Sequence, residues 1–180
     1  MSTASRFVPN YTVDDYRHWE GDWQLIEGVP VAMSPSPFGP HERIAIELAT
    51  SFKNQIDQQG CDCRVYAGLD WIVSNDTVVR PDVMVVCGPQ PERHLERPPA
   101  IAVEILSPAT RELDLVAKRR IYQQNGVAFY LIAGPQAQQI EIARMNVQTS
   151  ESETIHEDQT AELQLSEDCQ ITLNARHMFR

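Results

Sequence analysis

The chain has 180 residues, 42% hydrophobic and 22% charged, the balance of an ordinary globular fold with length enough for one domain and a substantial core. Its 15 Lys and Arg against 25 Asp and Glu leave a net charge of −10, which excludes a broadly basic surface that coats nucleic acid. No apolar run approaches the ~20 residues of a membrane span, and no apolar stretch follows the opening Met1-Ser2-Thr3-Ala4-Ser5-Arg6, so a soluble cytoplasmic protein is the expectation.

The start, to about Asn10, reads as loosely held, and Thr12 is placed to cap a short helix over 13–16. Two short apolar segments, 23–27 and 29–33, flank Gly28 and read as a hairpin, and the proline-rich piece 34–40 reads as a loop. From His41 to about Gln59 the period is helical: Ile44, Leu48, Phe52 and Ile56 recur every fourth residue, Gly60 stops the run, and His41 falls on the same inward face.

Residues 64–73 read as one long strand, 77–86 as a further strand or pair, and 88–99 as a polar loop. The strand 101–106 leads into a helix over about 111–125, with Thr110 as N-cap and Glu112 and Asp114 suited to the positive end of its dipole. Segments 127–133 and 139–145 are strands separated by a turn at Gly134-Pro135, and the tail adds edge strands and a short helix near Ala175. Strand, helix, strand over 101–133 is a βαβ unit with a right-handed parallel crossover, so the fold is α/β, a mixed sheet with flanking helices.

Cys61, Cys63, Cys87 and Cys169 match neither a zinc knuckle nor the framework of a small secreted domain, so four reduced thiols are expected. Residues 146–180 carry seven acids and two arginines and form an acidic extension packing on the core of about 20–145.

Glu104 is the anomaly. It stands inside Ile101-Ala102-Val103-Glu104-Ile105-Leu106, a run that otherwise reads as buried strand, and an unpaired buried charge costs on the order of several kcal/mol. Alternation places Ala102, Glu104 and Leu106 on one face and Ile101, Val103 and Ile105 on the other. Asp82 opens the neighbouring apolar run after Pro81, and Lys118 shares a helical stripe with Leu115 and Tyr122 that faces the sheet.

Two carboxylates and an inward lysine suit metal-assisted hydrolysis of a phosphodiester. Asp82, Glu104 and the Ile105 carbonyl are hard oxygen donors for Mg²⁺, with Mn²⁺ as substitute, and Lys118 can orient the water or bind phosphate. The same residues also fit a structural Glu104–Lys118 pair tying helix to sheet, with Asp82 capping a turn. Asp70 is a weaker site candidate, Tyr122 and Tyr130 read as packing residues, and Arg111 with Arg119-Arg120 reads as a solvated helix face.

Pro81-Asp82-Val83, Ala102-Val103-Glu104-Ile105-Leu106-Ser107-Pro108-Ala109-Thr110, Lys118-x-x-x-Tyr122 and Gly126-Val127-x-x-Tyr130 stand in order along the chain. With Leu25-Ile26-Glu27-Gly28, Met33-Ser34-Pro35 and His41-x-x-Ile44 upstream, this pattern resembles the bacterial putative restriction endonuclease domain family of the PD-(D/E)XK nuclease superfamily. The resemblance implies a restriction-endonuclease-like core and a Mg²⁺-dependent endonuclease acting on DNA. It further implies Asp82 and Glu104 as metal carboxylates, and Glu27 and His41 as supporting groups. The superfamily's lysine, normally two residues after the glutamate, is replaced there by Leu106, and the resemblance assigns its role to Lys118. An acidic residue usual in the family is Gly134 here. By analogy with enzymes that cut both strands, a homodimer is the expected assembly. A non-catalytic or regulatory domain on the same fold is the alternative.

Overall fold

The computed structural model describes residues 10–33, 39–146 and 148–179. The predicted N-terminal start and most of the predicted proline-rich loop fall outside them. Helix α1 (Val13–Tyr16) opens on a capping box in which Thr12 and Asp15 satisfy each other's backbone N–H groups. Strands β1 (Trp23–Ile26) and β2 (Val29–Ala32) form the predicted hairpin. Its two turn residues, Glu27 and Gly28, both have positive φ (49° and 78°), the backbone of a tight hairpin turn. The φ of Gly28 favours glycine, and a Cβ there would also crowd Asn10, whose Cα would lie 3.2 Å away.

Helix α2 (Gly39–Gln59) buries Ile44, Leu48, Phe52 and Ile56, the predicted stripe. The predicted long strand over 64–73 is instead two, β3 (Cys63–Ala67) and β4 (Trp71–Ser74), which belong to different sheets. The break is at Gly68, whose φ of 62° turns the chain out of the ladder. The following stretch is likewise a pair, β5 (Thr77–Val79) and β6 (Val83–Cys87), separated at Pro81, which lacks the N–H needed to continue a ladder. Strand β7 (Ile101–Ile105) is buried throughout.

Beyond β7, a π-helical segment (Leu113–Lys118) runs into α3 (Arg119–Gln124). The hydroxyl of Ser107, rather than Thr110, accepts a backbone N–H at the entry, that of Thr110. Strands β8 (Phe129–Gly134), β9 (Gln139–Met145) and β10 (Ser150–Ile155) follow, then the hairpin β11 (Thr160–Ser166) and β12 (Cys169–Asn174), and α4 (Ala175–Met178).

The central sheet has the order β10-β9-β8-β7-β6-β3, with β7 and β8 parallel as the βαβ reading requires and every other pair antiparallel. A second sheet has the order β2-β1-β5-β4, and β11 pairs with β12 alone. One face of the central sheet, with Val83, Val85, Ile101, Val103 and Ile105, packs on α2 and on Leu163, Ile171, Leu173 and Met178 of the C-terminal hairpin and α4. The other face, with Met84, Val86, Ala102, Tyr130 and Ile132, packs on Ile121 and Tyr122 of α3 and on Ile26, Trp71 and Val79 of the second sheet. The two faces are those the alternation predicts, and Glu104 belongs to the α3 side.

The cysteine expectation is overturned. Cys61 is joined to Cys169 and Cys63 to Cys87, and no free thiol remains among the described residues. Cys63 and Cys87 stand directly opposite in the β3–β6 register, and the Cys61–Cys169 bridge ties the end of α2 to β12. Such pairings depend on strand register and on contacts across 108 residues, neither of which cysteine spacing encodes. No helix among the described residues is long and apolar enough to cross a membrane.

Candidate active site

Where β6 begins, the ladder to β7 ends with Val83 opposite Val103, so the next step places Asp82 against Glu104. The Asp82 N–H donates to the Val103 carbonyl at 3.0 Å, while its Oδ2 accepts the Ile105 N–H at 2.7 Å. The side chain thus does what a strand carbonyl would do, and this pins the carboxylate at the end of β7. From the other side of the sheet, His41 in the first turn of α2 brings Nε2 to 3.3 Å from the same Oδ2. Its Nδ1 is buried without a hydrogen-bond partner, 3.7 Å from Glu42 Oε1. Burial works against the imidazolium, but the hydrogen bond and charge of Asp82, with Glu42 and Asp114, outweigh it and raise the His41 pKa.

Glu104 is sealed. Its Oε1 accepts the Tyr122 hydroxyl at 2.5 Å and its Oε2 lies 2.9 Å from Lys118 Nζ. Lys118 is 3% exposed and meets a second carboxylate, Asp114, at 3.3 Å. Asp114 is 1% exposed, and its Oδ1 makes the ion-pair contact without hydrogen-bond alignment.

Asp114 stands in the first turn, at the positive end of the dipole as predicted, and it is buried there against Lys118. Asp114 and Lys118, four residues apart on the π-helical turn, both point at the sheet, while Leu115 is only partly buried. Tyr130 holds that turn in place, its hydroxyl donating to the Asp114 carbonyl at 2.9 Å. Tyr122 and Tyr130 are thus more than packing residues, as buried phenols usually are. The spacing Asp114-x-x-x-Lys118 is the sequence signal that points to the pair.

One ammonium faces three carboxylates here: Asp82, Glu104 and Asp114. Burial pushes the Glu104 carboxyl up to about 8 although the Lys118 charge opposes it, and the charges of Asp82 and Asp114 add to the rise. Burial likewise raises Asp114 against the pull of Lys118. For Lys118, burial disfavours the charged form, but Glu104, Asp114 and Asp82 together overcome it and the ammonium is held. With His41 answering Asp82, the buried Glu104 and Asp114 are left to share Lys118, and a proton or a cation makes up the difference.

Asp82, Glu104, Lys118 and His41 are thus brought together, with Asp114 added. Glu27 is not joined to them: its carboxylate pairs with Arg120 at 2.6 Å, both side chains being more than half exposed. Asp70 lies in a separate network, accepting from Arg80 Nε at 2.7 Å and from the Tyr16 hydroxyl at 2.9 Å. A cavity of about 480 Å³ opens beside the ends of β7 and β8, bounded by Leu106, Ser107, Arg111, Leu115, Ile132 and Gln139. Ile132 is the cross-strand neighbour of Glu104.

The sequence profile of the Uma2 family, described as "Putative restriction endonuclease", matches residues 13–176. The chain belongs to the Uma2 family. It is 27% identical over 145 residues to the uncharacterized protein slr1290 of Synechocystis sp. (strain ATCC 27184 / PCC 6803 / Kazusa), covering 77% of this chain and 76% of that one. The fold is shared with a crystal structure described as "a putative nuclease belonging to DUF820" from Anabaena variabilis ATCC 29413. The two superpose with a TM-score of 0.78 at 20% identity, over 93% of this Uma2 chain and 97% of the other. The shared architecture is the restriction-endonuclease-like mixed α/β fold that the motifs imply.

Proposed function

We propose that this Uma2 protein is a metal-dependent endonuclease that hydrolyses DNA phosphodiester bonds at the group formed by Asp82, Glu104 and Lys118. The observation that carries the reading is the charge imbalance: three carboxylates around one lysine, two of them buried, at the point where β6, β7 and the π-helical turn meet. Such an arrangement takes up a further proton or a cation, and carboxylate and carbonyl oxygens favour a hard cation.

No three His, Cys, Asp or Glu side chains among the described residues gather closely enough to encage an ion by themselves. Mg²⁺ is commonly held by only one or two carboxylates and keeps several waters. Asp82, Glu104 and the Ile105 carbonyl would hold it. When bound, the ion supplies Lewis acidity toward a phosphoryl oxygen and lowers the pKa of a bound water.

The chain's own groups do the rest. Asp82 keeps its position through the Ile105 N–H, and Tyr122 fixes the orientation of the Glu104 carboxylate. Lys118, closed to solvent, contributes its charge from behind Glu104 rather than by contact with the phosphate. His41, on Asp82, is the group with solvent access that can hold or pass a proton, its side chain being 15% exposed. Substrate approaches from the Asp82–His41 side, because Glu104 and Lys118 are closed to solvent.

The same closure favours a second reading, a non-catalytic or regulatory module in which Lys118 permanently neutralises Glu104. Nicking of supercoiled plasmid with Mg²⁺ or Mn²⁺ separates the two. The nuclease reading requires cleavage by the wild type and its loss in Glu104→Ala; equal cleavage by both would overturn it, and no cleavage by either favours the module.

A further inference from the structure

We infer that Asp114 is the positioning residue for Lys118, the second seat that holds the ammonium when Glu104 turns to a cation; the inference rests on the metal-site reading above. Lys118 Nζ sits between two carboxylates, 2.9 Å from Glu104 Oε2 and 3.3 Å from Asp114 Oδ1. The closer contact is to the proposed metal ligand and the looser one to Asp114. A divalent ion on Glu104 repels an ammonium at 2.9 Å, and a lysine that is 3% exposed has no water to retreat into. It needs a buried acceptor within a small rotation.

Asp114 is built as that acceptor. Its buried Oδ1 already lies 3.3 Å from Nζ without hydrogen-bond alignment, so a small rotation of the ammonium completes a bond that the resting arrangement leaves unmade. The residue cannot drift away, because Tyr130 clamps its backbone carbonyl and the π-helical turn aims both side chains of the Asp114-x-x-x-Lys118 pair at the sheet. Single π-helical turns of this kind are frequent at functional sites. Asp114 touches neither substrate nor metal in this account and acts through Lys118.

The test is Mn²⁺ binding by calorimetry to the full chain, with thermal melting as a control for folding. Wild type binds Mn²⁺ and Asp82→Ala does not; if wild type fails to bind, the site reading falls and takes this inference with it. Given binding by the wild type, Asp114→Asn is expected to weaken Mn²⁺ about tenfold, since Lys118 then stays on Glu104. Asp114→Glu, which keeps a carboxylate for the ammonium, stays within about threefold of wild type. In a Lys118→Met background, Asp114→Asn changes Mn²⁺ affinity no further. Wild-type affinity in Asp114→Asn with only a lowered melting point would reduce Asp114 to a structural residue and overturn the inference, leaving the metal site standing. So would a loss in Asp114→Glu as large as in Asp114→Asn, or the same loss with and without Lys118.

Discussion

Lys118 Nζ lies 2.9 Å from Glu104 Oε2 with both side chains at most 3% exposed, so helix and sheet share one buried ion pair. Burying such a pair is expensive, and removing one partner is worse than removing both. Lys118→Met is therefore expected to cost about 3 kcal/mol in urea unfolding at alkaline pH and less at pH 6, where the orphaned carboxylates take up protons. An unchanged midpoint at pH 9 would show that the pair carries no such load.

Glu104 sets the pH dependence of the metal-free protein. Its folded value of about 8 lies above the ordinary glutamate value of 4.5. Between those limits the native state binds the extra proton, so its contribution is fully present below about 4.5 and is lost as pH rises through 8. In chelator, stability should fall by a few kcal/mol, on the order of magnitude only, across that window. Glu104→Gln should flatten the slope. A wild-type slope of the opposite sign in this window, unaffected by Glu104→Gln, would contradict the assignment.

Metal and proton then compete for one place. Mn²⁺ affinity is expected to rise from pH 6 to pH 9, with release of about one proton on binding at pH 7. Calorimetry in buffers of different ionisation enthalpy reads that proton directly. A binding heat independent of the buffer would mean that Glu104 is already ionised.

Tyr122→Phe removes the hydroxyl that donates to Glu104 Oε1 while keeping the ring stacked on Trp71. The expected cost is about 1–3 kcal/mol at pH 9, because a buried carboxylate oxygen loses its donor. Chemical unfolding of the two proteins measures it, and equal stability would show that Glu104 finds another donor.

The disulfides predict a non-reducing intact mass lighter by the hydrogens of two bridges, and a lower melting temperature after reduction. The Cys61–Cys169 bridge, spanning 108 residues, should account for most of the fall, of about 2–4 kcal/mol. Four alkylatable thiols in the native protein without reductant would contradict the pairing.

Much of this site was legible because a charge in an apolar run demands an explanation. Glu104, Asp82 after Pro81, and inward Lys118 all follow from alternation and helical period, and the parallel β7–β8 crossover follows from the βαβ pattern. The stripe through Leu115, Lys118 and Tyr122 passes over Asp114, although its four-residue spacing to Lys118 puts the two on one face. The run 64–73 carried a strand composition across Gly68, whose positive φ is a backbone property that no hydrophobic pattern reveals. Glu27 was grouped by motif order with residues that it does not touch, and the cysteine partners were set by register.

The most direct measurement is a crystal structure of the protein soaked in Mn²⁺, read by anomalous difference density. The account predicts one peak between Asp82 and Glu104 at about 2.1 Å from a carboxylate oxygen of each, with Lys118 drawn toward Asp114. An empty site at saturating Mn²⁺, with Lys118 still closed on Glu104, would contradict it.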